Sequence, residues 1–181
     1  MKKVMLVVMI TLLSFSLNAQ FTKATLQATG LTCAMCSNAI DKALHKVPFV
    51  ASVDADIKNS AFHIVFKPDS EVDIDALKDA VEDAGFSVGA LRLTGTFHDL
   101  KIANDEHIKL GHENFHFVNV SNQVLNGETT LKVLDRNFVS AKEFRKYNGV
   151  TKMHCLQTGK TEACCVKEGM AEGERVYHIT I

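Results

Sequence analysis

Between residues 25 and 93 the apolar positions switch repeatedly between a period of two and a period near 3.6. "TLQAT" (25–29) alternates in the manner of a strand, with Leu26 on one face. Cys36, Ile40, Ala43, Leu44 and Val47 then recur at helical spacing, and Pro48 closes that helix. "VASVDADI" (50–57) alternates through Val53, Ala55 and Ile57. After the turn residues of 58–61, "FHIVF" (62–66) puts Phe62, Ile64 and Phe66 on one face, so the two runs predict a hairpin. Asp73 is placed to cap a second helix, with Val72 and Leu77 as its hydrophobic staple and Ile74, Leu77, Val81 and Ala84 as its buried stripe. Gly85 is the expected stop, and "FSVGALRL" (86–93) reads as the last strand. The order β-α-β-β-α-β predicts a ferredoxin-like arrangement, one antiparallel sheet with both helices on one face.

The pattern changes at "LTGTFHD" (93–99), where Gly95 and its polar neighbours predict a boundary. Beyond it, "HFVNV" (116–120), "TTLKVLD" (129–135) and "RVYHITI" (175–181) read as strands, and Asn126–Gly127 as a turn. "SAKEFRKYN" (140–148) predicts one short helix with a Ser140–Glu143 capping box and a Val139–Phe144 staple. The expected class is therefore α+β: a ferredoxin-like domain over 23–93, then a small β-rich domain over 97–181, with an OB-like barrel as the guess for its form.

The first nineteen residues stand apart. Lys2 and Lys3 precede an apolar run from Val4 to Leu17 and a small residue, Ala19, which is the layout of a secretory signal peptide over 1–19. The run falls short of the roughly 20 apolar residues of a membrane span, although a retained anchor stays open. Cleavage would leave Gln20 first and take the formal net charge from −1 to −3 by removing Lys2 and Lys3. A mildly acidic chain with mixed charges is no candidate for nucleic-acid binding. Export, to the periplasm or beyond the cell, also bears on the five cysteines, since oxidising surroundings favour disulfides.

Two of the five, Cys33 and Cys36, sit where strand one gives way to helix one. The helix N-terminus there favours thiolate. Haem attachment would need His directly after Cys36, where Ser37 stands. A thioredoxin-like couple suits export, but the element order is wrong for that fold, and the chain has no Trp. Two soft sulfurs suit a linear ion, and zinc would want four ligands, so Cu(I) is the first choice on chemistry. No nucleophile–base constellation or phosphate loop appears, so no catalytic residue is assigned and no enzyme is expected.

"GLTCAMC" (30–36) resembles the GMTCxxC signature of the heavy-metal-associated domain, the family of copper chaperones, copper-ATPase modules and periplasmic mercury-binding proteins. "VEDAGF" (81–86) looks like the end of that family's second helix, and the likeness covers about 23–93. The resemblance implies that Cys33 and Cys36 bind the metal, that Thr32 shapes the loop and that Phe86 packs near it. Leu31 stands where the family usually has a buried Met, and Met35 is expected to face solvent. It also implies carriage of Cu(I), with Hg(II), Zn(II) and Cd(II) open, and transfer by ligand exchange to a metal-accepting or metal-donating protein. On that reading the membrane is met only through a partner transporter, and a metal-bridged homodimer is open. The rival reading is an extracytoplasmic thiol–disulfide oxidoreductase using the same pair.

The tail carries Met153, His154, Cys155, Cys164, Cys165 and Met170 within twenty residues. A disulfide from Cys155 to Cys164 or Cys165 is the expectation, with a second copper or zinc site or reduced thiols as the alternatives. His98, His107, His112 and His116 are read as surface histidines, and His45, His63 and His178 are given no role.

Overall fold

The computed structural model describes residues 20–31, 34–166 and 170–181; the segment read as a signal peptide, with Thr32 and Cys33, lies outside the described residues. The first half runs β1 (Gln20–Thr29), α1 (Ala34–Leu44), β2 (Val50–Asp56), β3 (Ala61–Phe66), α2 (Ile74–Asp83) and β4 (Ser87–Ile102). α1 forms because Ile40 and Leu44, one turn apart, are both fully buried against the sheet. Asp73 caps α2 as its sequence position predicts, its carboxylate accepting from the Ala76 N–H at 3.0 Å. β1 lies between β3 and β4 and is antiparallel to both, giving the order β2-β3-β1-β4 of the split βαβ arrangement.

The last of these strands does not end at Leu93. β4 continues for 16 residues through the stretch read as a boundary, bonded to β1 on one side and to β7 (Gln123–Val133) on the other. Gly95 is there for space, not to break the chain. A Cβ at this position would stand 2.9 Å from the Gln20 carbonyl oxygen and 3.1 Å from the Phe21 ring. Beyond β7 come β8 (Val176–Thr180), β6 (Glu113–Phe117) and β5 (His107–Leu110), so one eight-stranded sheet runs β2-β3-β1-β4-β7-β8-β6-β5. The guess of an OB-like barrel is thus corrected. The second half extends the edge that β4 offers, and its strands do not close on themselves.

The Asn126–Gly127 turn is a second correction, because both residues lie inside β7. Opposite them the register with β4 slips between Phe97 and Leu100. Asp99 takes a left-handed φ of 49° and Gly127 one of 79°. The Asn126 side chain fills the gap, its oxygen accepting from the Asp99 N–H at 2.8 Å and its amide donating to the Asp99 carboxylate at 3.0 Å. The turn residues serve a β-bulge.

Three helices complete the chain: α3 (Ala141–Asn148), α4 (Cys155–Thr158) and α5 (Ala163–Val166). The Ser140 hydroxyl caps α3 by accepting from the Glu143 N–H at 3.2 Å. Glu143 turns to Lys132 of β7, so the predicted capping box is half made. Val139 and Phe144 are buried in one cluster, as a staple requires. Alternation along β6 and β8 divides the layers. Phe115, Phe117, Tyr177 and Ile179 join the core shared with α1 and α2, while Val118 and Leu134 pack with Phe144 and Tyr147 of α3 and Leu156 of α4.

That shared core runs through both halves. The Phe21 ring sits 6.3 Å from Phe97 and 5.6 Å from Phe115, both edge-on, and Phe115 lies 5.9 Å from Tyr177. Phe21→Ala is expected to lower stability by about 3–5 kcal/mol. Urea unfolding followed by far-UV circular dichroism and by tyrosine fluorescence should show one shifted transition. Two transitions that separate in the variant would mean the halves do not share this core. Gly95→Ala should cost about 1–3 kcal/mol by overpacking against the β1 backbone, read from the same unfolding midpoint.

Candidate metal centre

The β1–α1 connection and the α2–β4 connection meet at one end of the sheet. Gly30 turns the chain out of β1 with φ +82°, a left-handed value that favours glycine. Leu31, at the family's usual Met position, is partly buried and packs against the main core, so it anchors the loop from beneath. Met35 is 82% exposed, which matches its expected solvent-facing position. Cys36 lies in the first turn of α1 and is half-buried. That turn carries no acidic residue, so no carboxylate offsets the positive end of the helix there. Cys33 lies outside the described residues, and the sulfur-to-sulfur geometry of the pair with it.

Phe86 reaches this loop through the way α2 stops. Gly85 takes φ +87°, its N–H donates to the Glu82 carbonyl at 2.8 Å, and the Phe86 N–H donates to the Val81 carbonyl at 3.1 Å. These two bonds make a Schellman motif, which swings the residue after the glycine back across the helix end. A methyl group placed on Gly30 would touch the Phe86 ring at 4.0 Å. The aromatic side chain therefore lies beside Gly30, where the chain leaves β1.

The tail residues lie elsewhere. Cys155 opens α4 and Cys165 sits in α5, both fully buried. Each turns its sulfur toward Nε2 of His107, at 3.6 and 3.2 Å, and not into a bridge between the two. The Cys164 side chain lies outside the described ones. His154 is exposed and paired with Glu162 at 2.9 Å. His98 is exposed, as expected of a surface histidine, and His112 is exposed beside Glu71 at 2.8 Å. His107 and His116 correct that expectation: they are buried, and so is His178. The burial follows from strand register: the three histidines share the face that α4 and α5 cover, while Phe115 and Tyr177, the alternate positions of β6 and β8, turn into the main core on the other face. Only the alternation in "ENFHF" and "VYHIT" could have flagged them, and it does not say which face is covered.

The heavy-metal-associated domain model matches residues 25–87. Copper chaperone CopZ of Staphylococcus aureus (strain JH9) is 33% identical over 63 residues, which are 35% of this chain and 91% of the chaperone. The probable copper-transporting ATPase HMA5 of Arabidopsis thaliana is 30% identical over 78 residues, 43% of this chain, but this chain spans only 8% of that protein's length. Among solved structures, a CopZ metallochaperone shares 31% identity, covering 37% of this chain and 98% of its own, with a TM-score of 0.34. The match stops at the start of β4, so β5 to β8 and α3 to α5 lie beyond it. Motif loop, helix stop and an aligned copper chaperone covered almost end to end all fall in one stretch, and by them this chain belongs to the heavy-metal-associated domain family.

Proposed function

We propose that this protein is an extracytoplasmic copper carrier: Cys33 and Cys36 hold Cu(I) between two thiolates and pass it to a partner by ligand exchange. The observation that carries this reading is the position of half-buried Cys36 in the first turn of α1, next to exposed Met35 and within a span aligned to a copper chaperone. Leu31 packs on the core at the start of the loop, Phe86 lies beside Gly30, and Met35 at the start of α1 is exposed. Two thiolates bind a soft monovalent ion tightly and leave room for a third. A partner thiolate arriving from solvent bonds to the copper first. One of the two original Cu–S bonds then breaks, and the ion moves without being released to water. The partner is a protein that presents thiolates of its own, and the copper-transporting ATPase relative indicates a membrane transporter as one such protein.

The N-terminal layout of Lys2, Lys3 and an apolar run supports an extracytoplasmic setting. Among the described residues no helix is long and apolar enough to cross a membrane. Carriage, in place of catalysis, fits a loop that supplies ligands and no general base.

Titration of the reduced full chain with Cu(I) against a competing chelator tests the clamp. The wild type is expected to take one ion tightly, and the Cys33→Ser/Cys36→Ser variant to lose it, a fall in affinity of at least a hundredfold. Equal binding by both proteins would remove the pair from the metal site. Turnover of a disulfide substrate without stoichiometric copper binding would favour the oxidoreductase instead.

A further inference from the structure

The far end of the sheet holds a row of three histidines that the sequence scatters. His107 on β5 stands directly opposite His116 on β6, and His116 stands opposite His178 on β8. Direct cross-strand partners share a face, so three imidazoles line up side by side. The first two rings stack at 4.3 Å and 9°, and the third stands edge-on at 5.1 Å. On the same face α4 and α5 bring Cys155 and Cys165 down onto the row, with Met170 and Val176 closing the surroundings. Cys155 Sγ lies 3.6 Å from His107 Nε2, 3.7 Å from His116 Nδ1 and 3.4 Å from His178 Nε2, and Cys165 Sγ lies 3.2 Å from His107 Nε2.

We propose that these residues form a second metal site, separate from the Cys33–Cys36 loop, in which His107, His116, Cys155 and Cys165 enclose one zinc-class divalent ion. Three of the four, His107, His116 and Cys155, place a ligand atom each within 4.8 Å of one another. Bonds of about 2.3 Å to sulfur and about 2.0 Å to nitrogen in a tetrahedron separate S from N by about 3.5 Å, and the observed spacings of 3.2–3.7 Å bracket that edge. Two thiolates neutralise a divalent ion, so a buried centre of this composition carries no net charge, whereas Cu(I) would leave it negative. Binding replaces two S–H bonds with two metal–sulfur bonds and releases two protons.

The surroundings of the histidines agree. The far nitrogen of His116, Nε2, is buried without a hydrogen-bond partner and lies 3.3 Å from Asp105 Oδ1. The far nitrogen of His178, Nδ1, faces Asp135 Oδ1, also at 3.3 Å. A carboxylate behind a histidine fixes its tautomer and makes it a better ligand. His178 braces Cys155 from the other side of the row.

The test uses the full chain carrying Cys33→Ser/Cys36→Ser, reduced and stripped of metal, so it does not depend on the copper clamp. Titration with Zn(II) against a chromophoric chelator should give one equivalent. Co(II) should show a thiolate charge-transfer band and the intense d–d bands of a tetrahedral site. Adding Cys155→Ser should abolish the tight equivalent. Because that change is buried, Asp105→Asn is made in the same background. Its circular dichroism should be unchanged while its zinc affinity falls about tenfold or more. A clamp-free chain that binds no Zn(II), a Co(II) spectrum without thiolate, or affinity indifferent to both changes would overturn the site. Binding of Cu(I) alone would overturn its assignment to a divalent ion.

Discussion

Everything in this molecule depends on β4 being hydrogen-bonded along both edges. Its early residues pair with β1 and complete the split βαβ unit, and the same strand offers its other edge to β7. A heavy-metal-associated domain of this size buries little on its own. Here its sheet is lengthened by four strands, and its core is lengthened with it through Phe21, Phe97, Phe115 and Tyr177. The close approach at Gly95 is the condition for this. With a side chain there, β1 could not stay bonded to β4 as far back as Gln20.

A second connection is electrostatic. Arg175, just before β8, donates to Asp75 of α2 and to Asp135, each at 2.9 Å, while its guanidinium lies 4.0 Å over the Tyr177 ring. Burial opposes the charge on Asp135, but the bonds from His178 and the nearby Arg175 outweigh it and hold the carboxyl below its usual range. Burial likewise opposes the charge on Arg175, and its two carboxylate partners hold it protonated. A charge in the helix layer of the first half is thereby linked, through Arg175 and Asp135, to the histidine row of the second.

What could be read from the sequence was whatever acts over a few residues. Asp73 and Ser140 signalled their helices because a cap bonds to an N–H three positions on. The cysteine loop was legible because its motif, its helix and the Gly85 stop are each local. Gly95 and Asn126–Gly127 were misread for the converse reason. The residues that permit a turn also permit a close strand approach or a bulge, and only the partner strand decides which. The histidine row had no local signature at all. It is assembled across β5, β6 and β8, and the parallel pairing of β6 with β8 is set by the sheet order, not by any spacing along the chain.

The two sets of cysteines differ in what their surroundings allow. A carried ion must be reached by an incoming ligand, so the thiolates that hold it have to be approachable from the surface; half-buried Cys36 sits in the first turn of α1 beside Met35, which is 82% exposed. A retained ion needs the opposite: a full set of ligands, no open position and walls that exclude competing thiols. Cys155 and Cys165 have no exposed surface and project from two short helices against a row of imidazoles. An ion enclosed there contributes its binding free energy to folding, because the ligands come from two strands and two helices that the unfolded chain keeps apart. On the proposed reading, exposure sorts soft-metal chemistry within one chain. The loop at one end of the sheet exchanges its ion, and the buried row at the other end keeps one.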